Sequence, residues 1–220
     1  MDLAKKQTNE LVVLAAEINR EVSLRHKIEG DPFKPIIGQE AAKRAICVAA
    51  VQKQSVMLIG PKEMGKTMLA RAAALFETPV AEAHPCPCSF WGDMVTSCLC
   101  KPAAIGKHQK KVMETFRNIE VWVEVPRPGR WAKGQQGEGL DYFKRVIEQA
   151  RCIVGNIPNT LDDYSQQLLT QAEREFGLTM WMRDVIIKTA RSVAALDGEA
   201  VIKLHHLTEA IQYRRLFREY

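Results

Sequence analysis

The eight-residue stretch GPKEMGKT, residues 60–67, constrains the fold more than any other part of this 220-residue chain. It matches the pattern G-x-x-x-x-G-K-[ST], a loop whose successive backbone N–H groups surround phosphate oxygens. The apolar run SVMLIG precedes it and the helix-favouring run KTMLARAAALF follows it. Strand, loop and helix in this order are the context that such a loop requires, so the motif predicts an α/β fold with a nucleotide-phosphate site. A chance glycine-containing turn is the alternative.

The loop residues have separate predicted roles. Lys66 reaches the β- and γ-phosphates, and Thr67 holds a Mg²⁺ ion that binds only with the nucleotide. The following helix adds the positive end of its dipole to the site. The predicted cofactor is ATP or ADP, bound weakly, and the predicted contacts are Gly60, Pro61, Lys62, Glu63, Met64, Gly65, Lys66, Thr67 and Met68.

Two features of the sequence argue against ATP hydrolysis. Glu63 places a carboxylate close to the phosphates, which repels them by about 1 kcal/mol or more, at a position where glycine helps the loop to curl. An ATPase also needs an acidic site on a neighbouring strand to complete the Mg²⁺ shell and polarise water. No apolar run ending in Asp-Glu occurs in the sequence, and no catalytic residue is assigned. Glu82 and Glu120, near predicted strand ends, are the remaining candidates for an acidic ligand.

Four of the six cysteines suggest a metal site. The pattern C-x-C-x9-C-x-C is formed by Cys86, Cys88, Cys98 and Cys100. Four thiolates suit tetrahedral Zn²⁺, although the usual spacing within a pair is C-x2-C. Buried reduced thiols are the alternative. For His205 and His206, a solvated helix start is favoured over metal binding.

Composition narrows the class of protein. No run of about 18 apolar residues is present, so neither a membrane span nor a membrane partner is predicted. The N-terminus lacks an apolar core followed by a small-residue cleavage site, which predicts a cytoplasmic protein with reduced or metal-bound thiols. The net charge of +5 permits nucleic-acid binding, and its candidate surfaces are the basic stretches 101–111 and 127–133. An ordinary solvated surface is favoured over nucleic-acid binding for these charges.

Hydrophobic periodicity and turn residues divide the chain into four parts. An amphipathic helix is predicted in residues 1–30, a core in 31–125 with a Cys-rich insertion at 86–100, a linker in 126–139 and a helical domain in 140–220. The core strands are predicted at 55–60, 79–83 and 119–125, the last with one face against the core, and the core helices at 39–52 and 66–76. The later helices are predicted at 140–151, 161–176 with Thr160 as N-cap, 180–196 after Thr179, and 204–217.

Several segments together resemble the Mg-chelatase-like AAA+ proteins, in particular the ComM/YifB type. The segments are IIGQEAAKRAICVAA, KTMLAR, HPCPCSFWGDMVTSCLC, VEVP and LDGEAVIKLHHLTEAIQYRRL, and the resemblance runs from about residue 31 to 215. It implies a P-loop AAA+ core with a parallel sheet ordered 5-1-4-3-2, followed by a helical lid domain. It also implies that Ile37 and Gly38 contact the nucleotide.

The chain departs from the family pattern in its ATP chemistry. The strands that carry the second acidic motif are missing, which leaves a shortened sheet of three strands in the order 5-1-4. His84 stands where the family has its sensor Asn, and Asn118, beside Arg117, stands where it has an arginine. Trp181 replaces the sensor arginine of the lid. The stripped edge of the sheet is expected to be covered by the N-terminal helix.

These departures predict a pseudo-ATPase. The chain is expected to be a degenerate Mg-chelatase-like AAA+ module that binds nucleotide, or serves in regulation or partner binding, rather than one that hydrolyses ATP. Its partner would be an intact AAA+ ATPase or another protein. The alternative is an ATPase of the ComM type that acts in DNA recombination or remodelling with the missing acids supplied by a partner.

Overall fold

The computed structural model describes residues 30–128 and 137–214. The predicted N-terminal helix, the middle of the linker and the end of the last predicted helix lie outside these residues. The described chain is an α/β structure whose elements, in order, are α1 (Glu40–Val51), β1 (Val56–Ile59), α2 (Lys66–Ala74), β2 (Val80–Ala83), α3 (Pro102–Thr115), β3 (Val121–Glu124), α4 (Leu140–Val154), α5 (Asp163–Phe176), α6 (Met180–Leu196) and α7 (Leu204–Gln212). None of these helices is long and apolar enough to cross a bilayer.

The sheet has three parallel strands in the order β2-β1-β3. Val56 of the central strand pairs with Val80 on one side and with Val121 on the other. Parallel strands need crossover connections. Helix α2 connects β1 to β2, and the Cys-rich segment with α3 connects β2 to β3 on the other side of β1. Strands 5, 1 and 4 of the family numbering correspond to β3, β1 and β2, so the expected order 5-1-4 is confirmed.

Both faces of the sheet are buried. Val56, Leu58 and Val123 belong to a core that also contains side chains of α1, α2 and α4. On the other face Met57, Ile59 and Trp122 pack with α3. The prediction that β3 buries only one face was therefore wrong, because Trp122 is 6% exposed and its indole N–H donates to the carbonyl of Ile119.

Helix α3 was not predicted from the sequence. Its buried positions are few, chiefly Gln109 and Val112, so its periodicity is weak. Its cationic residues all face solvent; they are Lys101 at the N-cap and Lys107, Lys110 and Lys111 in the helix. Nucleic-acid binding by this surface stays a prediction.

The ends of the later helices follow from local capping. Asp162, and not the predicted Thr160, is the N-cap of α5, because its carboxylate accepts the N–H of Ser165. Thr179 caps α6 as predicted, and Gly177 ends α5 in the left-handed conformation that favours glycine. The start of α4 is the exception, because the acceptor of the Leu140 N–H is Asp31, which is distant in the sequence and lies 2.6 Å away.

The later helices share a second core and dock on the amino ends of the strands. Leu169, Ile186 and Leu207 lie in this core with no exposed surface. Immediately before β1, Gln54 donates to Thr189 of α6 at 2.9 Å. The phosphate loop follows the carboxyl end of β1. Helix α6 therefore contacts the sheet at the other end of the strands, away from this loop.

His206 corrects one expectation in this region. It was expected at a solvated helix start, but its side chain is fully buried. Its Nδ1 accepts the N–H of Lys203, which places the ring proton on Nε2, 3.4 Å from a carboxylate oxygen of Asp197. His206 is therefore a capping residue of α7.

Candidate functional site at the carboxyl end of the sheet

The two glycines of the phosphate loop are required by its geometry. A Cβ atom at Gly60 would lie 2.2 Å from the carbonyl oxygen of Val125, so only glycine fits where the loop leaves β1. Gly65 has a φ of 83°, a left-handed conformation that glycine adopts without steric cost. The next residue begins α2, so the loop ends at a helix N-terminus.

Lys66 and Thr67 occupy the first two positions of α2. The Lys66 ammonium is buried and donates to the carbonyl oxygen of Gly60 at 2.9 Å and to that of Pro61. Burial lowers the pKa of Lys66, while the charge of Glu82 opposes this shift. Thr67 Oγ1 donates to Glu82 Oε2 at 3.0 Å.

Glu63 occupies a strained position in the loop. Its φ of 63° lies in the left-handed region, which is costly for a residue with a side chain. The Glu63 side chain is exposed. The hydrogen bonds with Asp93 raise the pKa of Arg127, and the charge of Glu63 adds to this shift. The backbone at this position therefore has the conformation that glycine favours.

The segment before α1 lies beside the loop. Gln39 donates from its side-chain amide to the carbonyl oxygens of Met64, at 3.4 Å, and Pro126, at 2.7 Å. The half-buried residues Ile37 and Gly38 directly precede Gln39, so they are placed near the loop. Of the other predicted contacts, Pro61 and Met64 are buried, while Lys62 and Met68 are exposed.

His84 follows β2 and contacts the start of the loop. Its Nδ1 lies 3.3 Å from the carbonyl oxygen of Gly60, and the His84 carbonyl accepts a hydrogen bond from His108 Nε2 at 3.0 Å. Burial lowers the pKa of His84, and the positive charges of Lys66 and Lys62 lower it further. His84 is therefore neutral at pH 7, with Nδ1 as a donor.

A cleft of about 440 Å³ opens at this end of the sheet. It is lined by Gly60 and Pro61 of the loop, by Glu124 at the end of β3, and by Trp91 and Gly92 of the Cys-rich segment. Clefts at the carboxyl ends of parallel strands are the usual binding sites of α/β folds.

The four predicted metal ligands meet in this Cys-rich segment. Their sulfur atoms all lie within 4.8 Å of one another. The Sγ of Cys86 lies 3.4 Å from that of Cys88 and 3.7 Å from that of Cys98, and the latter two are 3.5 Å apart. Thiolates at 2.3 Å from a tetrahedral Zn²⁺ ion are about 3.8 Å apart, so the cluster fits zinc.

The environments of the four sulfurs differ. The hydrogen bond from the backbone of Phe90 lowers the pKa of Cys88 to about 6, whereas burial and the neighbouring sulfurs raise the pKa of Cys98 to about 12 despite the backbone hydrogen bond from Cys100. The N–H of Trp91 donates to the sulfur of Cys86 at 3.3 Å, and the N–H of Cys100 to that of Cys98 at 3.5 Å. Only Cys86 of the four is buried, which does not fit a set of buried reduced thiols.

The Cys-rich segment is fixed to the core by an ion pair that the sequence did not reveal. Arg127 donates to both carboxylate oxygens of Asp93, at 2.8 and 2.7 Å, and the Asp93 side chain has no exposed surface. The hydrogen bonds from Arg127 hold the pKa of Asp93 well below its usual range. Arg127 belongs to the basic stretch 127–133 that was named as a candidate nucleic-acid surface, and its guanidinium pairs with Asp93 in this structure.

Other residues singled out in the sequence lie at the opposite end of the sheet. Asn118 precedes β3, and Trp181 near the start of α6 stacks under Arg214, which donates to the carbonyl of Ile119. Glu120 accepts the N–H of Ser55 at 2.9 Å, also at the amino end of the strands. None of these three residues contacts the phosphate loop of the same chain.

Comparisons with known proteins agree with this arrangement. The family model for the magnesium chelatase subunit ChlI matches residues 32–83, and the model for the C-terminal part of the same subunit matches residues 155–214. Together they cover about half of the chain. A Lon protease homologue from Thermoplasma volcanium is 40% identical over 50 residues, which is 23% of this chain and 10% of that protein. The chain thus matches about a tenth of the length of this curated relative.

Proposed function

Because the chain belongs to the magnesium-chelatase-like AAA+ family, we propose that it is a nucleotide-binding regulatory module rather than an ATPase. ATP or ADP binds with Mg²⁺ at residues 60–67, and the module acts on an intact AAA+ ATPase or another protein. The observation that carries the proposal is a complete phosphate loop with an incomplete set of acids around it.

The phosphate-binding half of the site is supported residue by residue. Gly60 and Gly65 allow the loop to curl, and the loop leads into the N-terminus of α2. Lys66 is buried with its ammonium turned into the loop, where it neutralises phosphate charge. A loop of this geometry binds phosphate through backbone N–H groups and one lysine, without any acid.

The hydrolytic half lacks a group that polarises water. In residues 30–128 and 137–214, the hydrogen bonds of the Lys66, Thr67 and His84 side chains involve one carboxylate, that of Glu82. An ATPase needs acids for two tasks, to complete the Mg²⁺ shell and to activate water. Asn118 and Trp181, which stand at arginine positions of the family, lie at the other end of the sheet and carry no charge.

The Cys-rich segment completes the module. A zinc ion held by the four clustered sulfurs is structural, because a four-cysteine set leaves no open position for a substrate. The segment also lines the cleft beside the start of the phosphate loop through Trp91 and Gly92.

Calorimetric titration with ADP and ATP, combined with a turnover assay, tests the proposal. We expect weak binding in which ADP binds no less tightly than ATP, because Glu63 repels the additional charge of ATP. Turnover is expected at background. Lys66→Ala should weaken binding by about tenfold or more, and Lys110→Ala, on the exposed face of α3, should not. Turnover abolished by Lys66→Ala would instead show an active ATPase of the ComM type.

A further inference from the structure

Glu82 is positioned by the sheet to face the start of α2. It lies on β2, paired in register with Leu58 of the central strand. Side chains two residues apart on a strand point to the same face, so Glu82 shares its face with Val80, which packs in the core formed with α1 and α2. Its carboxylate reaches Thr67, the second residue of α2, at 3.0 Å.

The charge of Glu82 acts on the groups that would surround a phosphate. It raises the pKa of both Lys66 and His84, against the effect of burial on each. Within the described part of the chain, Glu82 forms no ion pair that would commit its charge elsewhere. Its side chain is exposed at the loop, so it is accessible to a cation that arrives with a nucleotide.

The other acidic candidates are placed differently. Glu120 is held at the amino end of the strands by the Ser55 N–H and by Lys188, whose ammonium lies 2.9 Å away. Glu63 lies in the loop itself, where its charge interacts with Arg127. Glu82 is therefore the carboxylate that meets the threonine of the phosphate loop.

We infer that Glu82 is the acidic ligand that completes the Mg²⁺ shell at this site, which makes nucleotide binding Mg²⁺-dependent without supplying turnover; this rests on the proposed nucleotide function. Mg²⁺ is bound octahedrally by oxygen at 2.0–2.1 Å and is typically held by one or two carboxylates together with phosphates and waters. Two neighbouring ligands of such an octahedron are about 2.9 Å apart. The 3.0 Å separation of Thr67 Oγ1 and Glu82 Oε2 matches this spacing.

Thr67 can donate a hydrogen bond to Glu82 and bind Mg²⁺ at the same time. The hydroxyl can keep donating its proton to Glu82 while a lone pair of the same oxygen faces the ion. A carboxylate engaged in this way is not free to activate water, so one acid provides metal binding and leaves hydrolysis without a base. Glu82 thus replaces the metal-binding function of the missing acidic strand and not its catalytic function.

Titration of ADP in Mg²⁺ and in EDTA tests the assignment, with Glu82→Gln compared against Glu77→Gln. Glu77 is an exposed carboxylate that pairs with Lys53 in the turn before β2. Mg²⁺ should tighten ADP binding to the wild type and to Glu77→Gln by about tenfold or more. Glu82→Gln should lose most of this effect. In EDTA it should bind ADP about fivefold more tightly than the wild type, because a repelling charge is gone. A merely misfolded variant would bind more weakly under both conditions.

A second readout uses Mn²⁺ in place of Mg²⁺. The electron paramagnetic resonance signal of Mn²⁺ with ADP should broaden on adding the wild type or Glu77→Gln and should change much less with Glu82→Gln. If the wild type binds neither nucleotide, the proposed function fails and this assignment fails with it. If nucleotide binds equally well in EDTA and Mg²⁺, or if Glu82→Gln behaves as Glu77→Gln does, only the assignment of Glu82 is overturned.

Discussion

The two ends of the three-stranded sheet are built by different means. At the amino end, side chains of the later helices satisfy the strand ends directly: Gln54 donates to Thr189, and Glu120 joins Lys188 to the N–H of Ser55. At the carboxyl end, the strands lead into loops whose shape depends on glycines and backbone carbonyls, and a cleft of about 440 Å³ remains open.

This difference separates stability from binding. Hydrogen bonds and a partly exposed ion pair at the amino end hold the helices on the sheet, and removing one partner leaves the other unsatisfied. A binding site, in contrast, keeps polar groups accessible to a ligand and tolerates strained backbone such as that of Glu63. We therefore expect substitutions at the amino end to change the free energy of unfolding, and those at the carboxyl end to change nucleotide affinity.

The Cys-rich segment lies at the carboxyl end of the strands, yet substitutions in it should have the largest effect on stability. The reason is that its folding depends on a bound zinc ion. Protein purified without chelators should carry about one zinc ion per chain, and Cys88→Ser should release it and lower the melting temperature. Cys152→Ser, at an exposed cysteine of α4, is the control and should retain the metal. Metal analysis and thermal unfolding of the three proteins measure this. Wild-type protein without zinc would contradict the assignment.

Replacing Glu120, at the amino end of the strands, should lower stability and leave nucleotide affinity unchanged. Glu120→Ala removes the acceptor of the Ser55 N–H and of the partly exposed Lys188 ammonium, so we expect the free energy of unfolding to fall by about 1 kcal/mol. ADP affinity should stay within about twofold of the wild-type value, because the loop lies at the other end of the strands. Urea denaturation and calorimetry test both statements, with the exposed Glu148→Ala on α4 as control. A loss of ADP affinity as large as the loss of stability would show that the two ends are coupled.

Local sequence patterns predicted the carboxyl end better than the amino end. The phosphate loop and the strands around it were predicted because the glycines, the lysine and the apolar runs act within a few residues of one another. The docking of the later helices depends on pairs such as Glu120 and Lys188, which are far apart in the chain and leave no local signal. The start of α5 was predicted two residues early because Thr160 and Asp162 are both good capping residues, and only tertiary context selects between them.

The four cysteines show that the spacing of residues in a sequence can predict a contact between two separate pairs. Their pattern predicted a common site, and the structure brings the sulfurs within 4.8 Å. The contact between Glu82 and Thr67 follows from strand register, since alternation along β2 places Glu82 on the face of α2. The Asp93–Arg127 pair has no such signal, because neither residue lies in a periodic element.

Glu63→Gly, at the carboxyl end, should change ADP affinity and leave stability almost unchanged, which is the reverse of the effect expected for Glu120→Ala. It removes a charge near the phosphates and the cost of a left-handed residue, so ADP affinity should rise about fivefold. The free energy of unfolding should change by less than about 1 kcal/mol, because glycine also gains entropy in the unfolded chain. Glu77→Gly makes the same change at a residue with a similar φ of 58° but away from the loop, and should leave ADP affinity unchanged. Equal effects of the two variants on affinity would show that the Glu63 charge does not act on the nucleotide. Turnover should stay at background in both.

The smallest effect is expected at the N-terminus of α5, far from the nucleotide. Asp162→Ala removes the acceptor of the Ser165 N–H and should lower the melting temperature by about 3 °C, with ADP affinity unchanged. Thr160→Ala, two residues earlier, should change neither. The hydrogen bond from Ser165 lowers the pKa of Asp162 in the folded state. Its contribution is therefore complete above the unfolded pKa of about 4 and is lost as the pH falls through the lower folded value. The difference between Asp162→Ala and the wild type should accordingly shrink on acidification, whereas that of Thr160→Ala should stay near zero throughout. A larger effect of Thr160→Ala at neutral pH would place the helix start at the earlier residue.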